Sequence, residues 1–424
     1  MPGDRDVFRE PLGTHDVLPP ESERWQAFVT AFATRARRAG FELVVTPIFE
    51  HIEVVQKLGS TTDAVRKELY DFTDKGGRHL ALRADGTASV ARAFAQHQPP
   101  TPWKVWYVAP NFRYERPQKG RYRQHWQVGV EALGVDDPTI DVEVIALAHS
   151  FYGDDLGLRQ TRLLVNSMGD AETRVRYREV LLEYWHSHAA LLGDEMTRAE
   201  ANPLRVLDSK RADWQDMIET APQIGDYLTK ESAADFETVQ EGLHQLGISF
   251  EIAPRLVRGL DYYTGTTFEF QSDALDAAQN AIGGGGRYDG LVEQMGGRPT
   301  AGIGFGIGIE RVLIVCEAEG VFGAPEPAID VFVVDTVGGL AGLTLVSELR
   351  EVGLSAERSY GSRTMKKQWS AADRAGARWG VLLAPRELAD GKVGVKRLAT
   401  GEQVDVRRED VAAWLRTRED SDKS

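Results

Sequence analysis

Between Arg113 and Gln124 the chain carries five basic residues, Arg113, Arg116, Lys119, Arg121 and Arg123, against one acid, Glu115. That is a local charge of +4 in a protein whose formal net charge is −14. Guanidinium groups at this density suit a phosphate ligand, because each offers a planar fork of donors to anionic oxygens. Just downstream, Gln127, Gly129 and Glu131 recur at every second residue, so in a strand they share one face while Trp126, Val128 and Val130 share the other. A carboxylate and an amide bracketing a glycine leave room for a small molecule against the backbone and offer it fixed acceptors. A solvated hairpin tip would explain the charges alone. It would not explain the polar face beside them.

Three further groups of residues could serve the same chemistry. The string LRADGT sets Asp85, Gly86 and Thr87 at the mouth of a helix running through ASVARAFAQH, with Thr87 as its N-cap. In LVRGLDYYTGTTFEF, Arg258, Tyr262 and Tyr263 lie close together among residues that disfavour helix, where Gly259 and Gly265 permit sharp bends. Taken alone, such a trio is also satisfied by a cation–π pair in a core. The string PTAGIGFGIGIERVL alternates strictly, with Gly302, Gly304, Gly306 and Gly308 on one face and Ile303, Phe305, Ile307 and Ile309 on the other. The glycine face is bare backbone that can lie flat under a planar ring, and Glu310-Arg311 begins a helix with a guanidinium beside it. Neither this run nor AIGGGGRYDGL has the G-x-G-x-x-G spacing of a dinucleotide fold, and the chain has no G-x-x-x-x-G-K-[ST]. Cys316, the one cysteine, sits in the apolar run VLIVCEA as a buried, inert thiol, which excludes a disulfide framework and a multi-cysteine zinc site. His186 and His188 are two apart on a helical pattern and share no ligand face, so no metal site is assigned.

The elements that must hold these residues can be read from their periods. Pro19-Pro20 opens a helix with Trp25, Phe28, Phe32 and Ala36 at helical spacing, and FELVVTP follows as a strand ended by Pro47. Glu68 to Asp74 and His79 to Arg83 read as short strands about a Lys75-Gly76-Gly77 turn. The basic segment reads as a hairpin: its first arm places Phe112 and Tyr114 on one face and Arg113 and Glu115 on the other, and Pro117 to Gly120 interrupts it. After Asp137-Pro138 comes a helix with Ile140, Val144, Leu147 and Phe151 on one side. Residues 171 to 247 are almost wholly helical in pattern, an insertion. GAPEPAID is a linker, after which strands and helices alternate in a compact α/β unit.

With 424 residues, 42% apolar and 27% charged, the chain is long enough for two or three domains with substantial cores. It has no 18-residue apolar run, and its first residues lack a signal-peptide core, so the expected compartment is the cytosol with no membrane association. Net acidity argues against wholesale attraction to nucleic acid. From Pro327 onward, however, 16 basic and 15 acidic residues sum to +1, leaving −15 for the rest, so the C-terminal part is the easier to bring near phosphates.

The segment FRYERPQKGRYRQ with Gln127 and Glu131 resembles motif 2 of class II aminoacyl-tRNA synthetases, and of the histidyl-tRNA synthetase family in particular. The helix leading into a Pro-terminated strand is similar to motif 1, AGIGFGIGIER to motif 3, and LVRGLDYYTG to the signature of the histidyl enzymes. The C-terminal unit resembles the anticodon-binding domain shared by the histidyl, glycyl, threonyl and prolyl enzymes. The resemblance implies an α/β (α+β) catalytic domain over 1–326, an antiparallel sheet flanked by helices with a helical insertion at about 171–250. An anticodon-binding domain would follow at 327–424. It implies ATP-dependent activation of L-histidine to histidyl-adenylate and transfer to tRNA(His), by a homodimer, with Mg2+ accompanying ATP. By that resemblance Arg113 and Arg258 act at the α-phosphate. Glu115, Arg121, Gly308 and Arg311 hold ATP with Arg113. Asp85, Thr87 and Gln127 take the α-ammonium, while Glu131 and Tyr263 bond the two imidazole nitrogens; Gly86, Arg113, Arg258 and Tyr262 complete the histidine site. The chain departs from the family with Ala84-Asp85 where Pro-Glu is common and with His125-Trp126 where Phe-His is more usual. A histidine-sensing regulatory subunit of ATP phosphoribosyltransferase, which charges no tRNA, is the alternative the same scaffold offers.

Overall fold

The computed structural model describes residues 8–57, 59, 67–207, 209, 211–256, 262–275, 280–325, 329–361 and 363–422. Contacts divide the chain into two compact units, Met1–Ala324 and Pro325–Ser424.

The first unit is organised by an eight-stranded sheet in the order β1-β5-β6-β11-β10-β9-β7-β8. These are β1 (Glu42–Leu43), β5 (Trp103–Phe112), β6 (Gln124–Leu133), β7 (Thr161–Ser167), β8 (Glu251–Ile252), β9 (Thr264–Ser272), β10 (Ala281–Arg287) and β11 (Gly302–Gly308). Only the edge pairs β1–β5 and β7–β8 are parallel; the remaining neighbours run antiparallel. A smaller sheet orders β2 (Phe49–His51), β4 (His79–Leu82) and β3 (Asp71–Thr73).

The apolar alternation decides which side is core. Val128 and Val130 of β6 and Ile303, Phe305 and Ile307 of β11 all point into one buried cluster. The helices Glu21–Arg38, Thr139–Ser150 and Ile309–Glu319 cover it. Phe28 and Phe32 meet Phe151 edge to face, each at 5.0 Å between centroids, and full burial of each ring is worth about 1.5–3 kcal/mol. The opposite face carries a second core under the Thr87–His97 helix, with Ala88, Ala91 and Phe94 packed against Val105, Tyr107, Tyr262 and Tyr288. That second face, partly apolar and partly polar, is the one onto which Gln127 and Glu131 project.

Several elements differ from the sequence reading in extent. The first hairpin arm ends at Phe112, and Arg113 to Arg123 form a loop held by the Arg113 N–H on the Arg123 carbonyl at its ends and by an isolated bridge, Gln118 to Arg121, at its tip. Pro117 and the crowding of like charges leave this stretch without a ladder. FELVVTP contributes only Glu42–Leu43 to the sheet. Thr87 is not the N-cap: Gly86 occupies that position, and the Thr87 hydroxyl is spent on Glu131.

Residues 171–245 hold a series of helices beginning with Ala171–Ser187 and ending with Lys230–Gln245, and they enclose their own core of Tyr177, Leu181, Trp185, Trp214 and Ile218. Asp170 starts the first of them. Its carboxylate accepts from Thr173 N at 2.8 Å and from the Thr229 hydroxyl at 2.6 Å, which lowers its pKa to about 2 despite the opposing effect of burial. In the second unit a five-stranded sheet orders β13 (Ala356–Arg358), β12 (Val331–Asp335), β14 (Trp379–Leu383), β15 (Lys392–Arg397) and β16 (Gln403–Arg407). The helices Gly339–Glu351 and Val411–Asp422 pack around Val333, Leu345, Val381 and Val395, while Met365–Arg374 packs through Ala372 on a separate cluster with Phe332 and Val334.

Candidate active site

The site begins with the register of β6 against β11, where Gln127 lies opposite Gly308, Gly129 opposite Gly306 and Glu131 opposite Gly304. Because side chains alternate, each polar residue of β6 faces a neighbour with no side chain to compete for the space. The fit is closest at Gly304, where a Cβ would overlap Glu131 Oε2 and the Val130 carbonyl oxygen. The glycine strand is therefore the floor of the site. The arm from β6 supplies its walls.

Glu131 is wholly buried. Thr87 donates to its Oε1 at 2.7 Å and Tyr288 to its Oε2 at 2.6 Å, and Tyr107 also bonds it. Burial nevertheless outweighs these donors and pushes the carboxyl up to about 8, with nearby Asp85 adding to the rise. Each carboxyl oxygen has a second lone pair, so Glu131 keeps accepting capacity beyond the hydroxyls it holds. Asp85 is likewise buried and raised by desolvation, opposed mainly by Arg113. Tyr262 donates to Asp85 Oδ2 at 3.2 Å, and its hydroxyl lies 3.4 Å from that of Tyr263. Asp85, Thr87, Glu131, Tyr262 and Tyr263 thus meet in one polar pocket within an otherwise apolar layer. Such a pocket suits a small ligand carrying both donors and a ring.

Beside it opens a cleft of about 230 Å³ lined by Arg113, Glu115, Arg121, His125, Gln127, Gly308 and Arg311, among others. Arg113 Nε is anchored on the Ala84 carbonyl at 3.1 Å and Arg311 Nη1 on the Ala281 carbonyl at 2.9 Å, while Arg121 pairs with Glu115 at 2.9 Å. Three guanidinium groups converging on bare glycine backbone make a site for a polyanion. His125 lies half-buried among them. Burial first, then Arg113 and Arg311, hold its pKa down to about 3, so its ring is neutral and free of repulsion. Glu310 accepts from Trp126 N at 2.9 and 3.1 Å and is raised to about 7 by burial. Gln127 joins the two regions, its Oε1 accepting from Asn111 Nδ2 at 2.6 Å.

Every site residue expected from the sequence lies in this pocket or cleft or, like Gly86, beside it, except Arg258, which with Gly259 is outside the described residues. Sequence reasoning missed Tyr107, Tyr288 and Asn111. Tyr107 was legible only through register: it lies opposite Gly129 on β5, where a Cβ would strike its hydroxyl. Tyr288 follows the run of four glycines, and its ring covers Gly302 in the same way.

An antiparallel sheet with a glycine strand as floor, an arginine-lined cleft and a helix mouth beside a buried polar pocket is the catalytic architecture of a class II aminoacyl-tRNA synthetase. Comparison with known proteins narrows this. Residues 13–312 match the family described as "Histidyl-tRNA synthetase", and residues 334–418 match "Anticodon binding domain". A "Histidine--tRNA ligase" of Rhodococcus erythropolis is 48% identical over 94% of this chain and 95% of its own length. One from Geobacillus thermodenitrificans is 47% identical over 96% and 98%. The crystal structure of apo S. aureus histidyl-tRNA synthetase superposes with a TM-score of 0.83 at 34% identity, covering 97% of this chain and 100% of that one. The chain belongs to the histidyl-tRNA synthetase family.

Proposed function

We propose that the chain activates L-histidine with ATP and transfers it to tRNA(His). The histidine carboxylate attacks the α-phosphorus of ATP, forming a new P–O bond and releasing pyrophosphate. A ribose hydroxyl at the tRNA terminus then attacks the acyl carbon, its proton is lost, and AMP leaves. Both nucleophiles belong to the substrates, so the protein supplies position and charge rather than a reactive side chain. In this reading Arg113 grips the α-phosphate and Arg258 meets the same developing charge from the other side. Glu115, Arg121, Gly308 and Arg311 hold ATP, with Mg2+ arriving as part of that substrate. Asp85 and Gln127 take the α-ammonium beside Gly86 and Thr87. Glu131 and Tyr263 take the two imidazole nitrogens, with Tyr262 packed alongside.

The observation that carries this reading is the continuity of one face of β6. Gln127 faces the arginine cleft and Glu131 lies in the buried pocket four residues on, both over the glycines of β11. An anionic nucleotide and a small amino acid are thereby brought edge to edge. We assign the unit Pro325–Ser424 to the tRNA anticodon. A homodimer is supported by an exposed apolar patch beside β1, where Val45 is 83% accessible and Leu43, Ile48, Phe49 and Phe72 accompany it. No described helix is long and apolar enough to cross a membrane, and the cytoplasm is where ATP, histidine and tRNA meet. ATP–pyrophosphate exchange with each amino acid in turn tests the reading. Exchange with histidine alone is expected; no exchange with any of them would favour a histidine sensor instead.

A further inference from the structure

The turn Gly13–His15 lies against the loop that closes the cleft, and the reaction as set out above makes no use of it. That loop, Arg113 to Arg123, forms no regular ladder: its two ends meet at Arg113 and Arg123 and its tip at Gln118 and Arg121, so its placement over the cleft draws on contacts from outside it as well. Arg123 is where support enters. Its carbonyl accepts from Arg113 N at 2.9 Å, and its own N–H donates to the Gly13 carbonyl at 2.7 Å. The backbone of Arg123 is thus bonded on both sides, as in the middle of a sheet. Gly13 has φ +86°, and a Cβ there would lie 2.7 Å from Arg123 Cγ and 2.8 Å from Cδ, so only glycine fits without displacing Arg123. The Arg123 guanidinium in turn lies over Tyr114 at 3.8 Å, and its Nε donates to the Glu115 carbonyl at 3.2 Å.

The second contact is aromatic. The exposed His15 ring stacks on Tyr122 at 4.3 Å between centroids, tilted 36°, and Tyr122 lines the cleft between Arg121 and His125. The turn that presents His15 is closed locally, since Thr14 donates to the Pro11 carbonyl through its hydroxyl at 2.8 Å and its N–H at 3.0 Å. His15 is therefore offered to Tyr122 from a fixed base.

We infer that Gly13–His15 is a latch that positions the nucleotide side of the cleft, with His15 a positioning residue acting through Tyr122 and Gly13 acting through Arg123 on Arg113. The inference rests on the reading of the cleft as the ATP site. Tyr122 has no bond to the Asp85–Glu131 pocket among the contacts described. The His15–Tyr122 contact should therefore affect ATP and spare histidine.

The test uses the full-length chain in ATP–pyrophosphate exchange, with ATP and histidine varied separately, for the unaltered protein and for His15→Ala, His15→Phe and Gly13→Ala. His15→Ala is expected to raise the KM for ATP about 3- to 10-fold, the span of one aromatic contact, with the KM for histidine unchanged. His15→Phe keeps a ring on Tyr122 and should return the ATP value to within about twofold. Gly13→Ala should have the larger effect. An unchanged ATP KM in both alanine variants, a parallel rise in both KM values in His15→Ala, or failure of His15→Phe to restore would overturn the latch. Failure of the unaltered chain to exchange would instead remove the reading of the cleft, and the latch with it.

Discussion

Glu131 is the residue on which amino-acid selection depends in this account, and it is set among hydroxyls at a cost. Replacing it by glutamine keeps the shape and removes the charge. Glu131→Gln is expected to weaken histidine binding by about 1.5–3 kcal/mol, the worth of a hydrogen bond to a charged group once the bound imidazole holds Glu131 ionised, with ATP binding nearly unchanged in calorimetry. Equal losses for both ligands would take Glu131 out of the imidazole pocket. Its titration gives a second, independent outcome. Burial raises the folded-state pKa from an ordinary 4.5 to about 8, so the folded chain favours the protonated carboxyl. The contribution is fully present below pH 4.5 and is lost as pH rises through 8, where the buried group must ionise. The melting temperature of Glu131→Gln relative to the unaltered chain should therefore climb between about pH 4.5 and 8 in ligand-free protein and level off above that. A difference that stays flat across that range would mean Glu131 is better solvated than its burial implies.

At the scale of elements, the strict alternation of glycine and bulky apolar residues in β11 is what permits the site. Gly304→Ala would drive a methyl into Glu131 and the Val130 carbonyl, whereas a Cβ at Gly308 meets nothing within 4 Å. Gly304→Ala is expected to cost about 1–3 kcal/mol of stability by overpacking and to abolish histidine-dependent exchange. Gly308→Ala should fold normally, so comparing the two in denaturant melts and exchange separates crowding from the mere loss of a glycine. This alternation, like that of Trp126, Val128 and Val130, was fully legible in the sequence because period two is local information. What was not legible is what register decides. Thr87 reads as a cap until β6 brings Glu131 within 2.7 Å of its hydroxyl. Tyr107 carries no signal of its own until Gly129 is set opposite it. The arm through Arg113 was read too long as a strand for a related reason: its alternation continues, but beyond the Arg113–Arg123 bond its next partner is Glu68, and the Gly13 turn takes the N–H of Arg123, contacts that no local pattern shows.

Taken whole, the chain has one unit holding every described pocket and cleft residue and another with a separate sheet and core. The linker GAPEPAID and the change from −15 to +1 in charge marked that division in the sequence; which tRNA features each unit reads has no local signature. A chain ending near Ala324 is expected to make histidyl-adenylate at close to the normal rate and to charge tRNA poorly, with partial recovery at higher tRNA concentration or lower salt. A folded truncation that lost adenylation as completely as charging would show that the two units are not separable in this way. The most direct measurement is the charging of tRNA by the full chain with labelled histidine, run beside the other amino acids and beside pyrophosphate exchange. Histidyl-tRNA should accumulate with histidine alone and only when ATP is present. Histidine-dependent exchange without any acid-precipitable histidyl-tRNA, or charging with a different amino acid, would contradict the account.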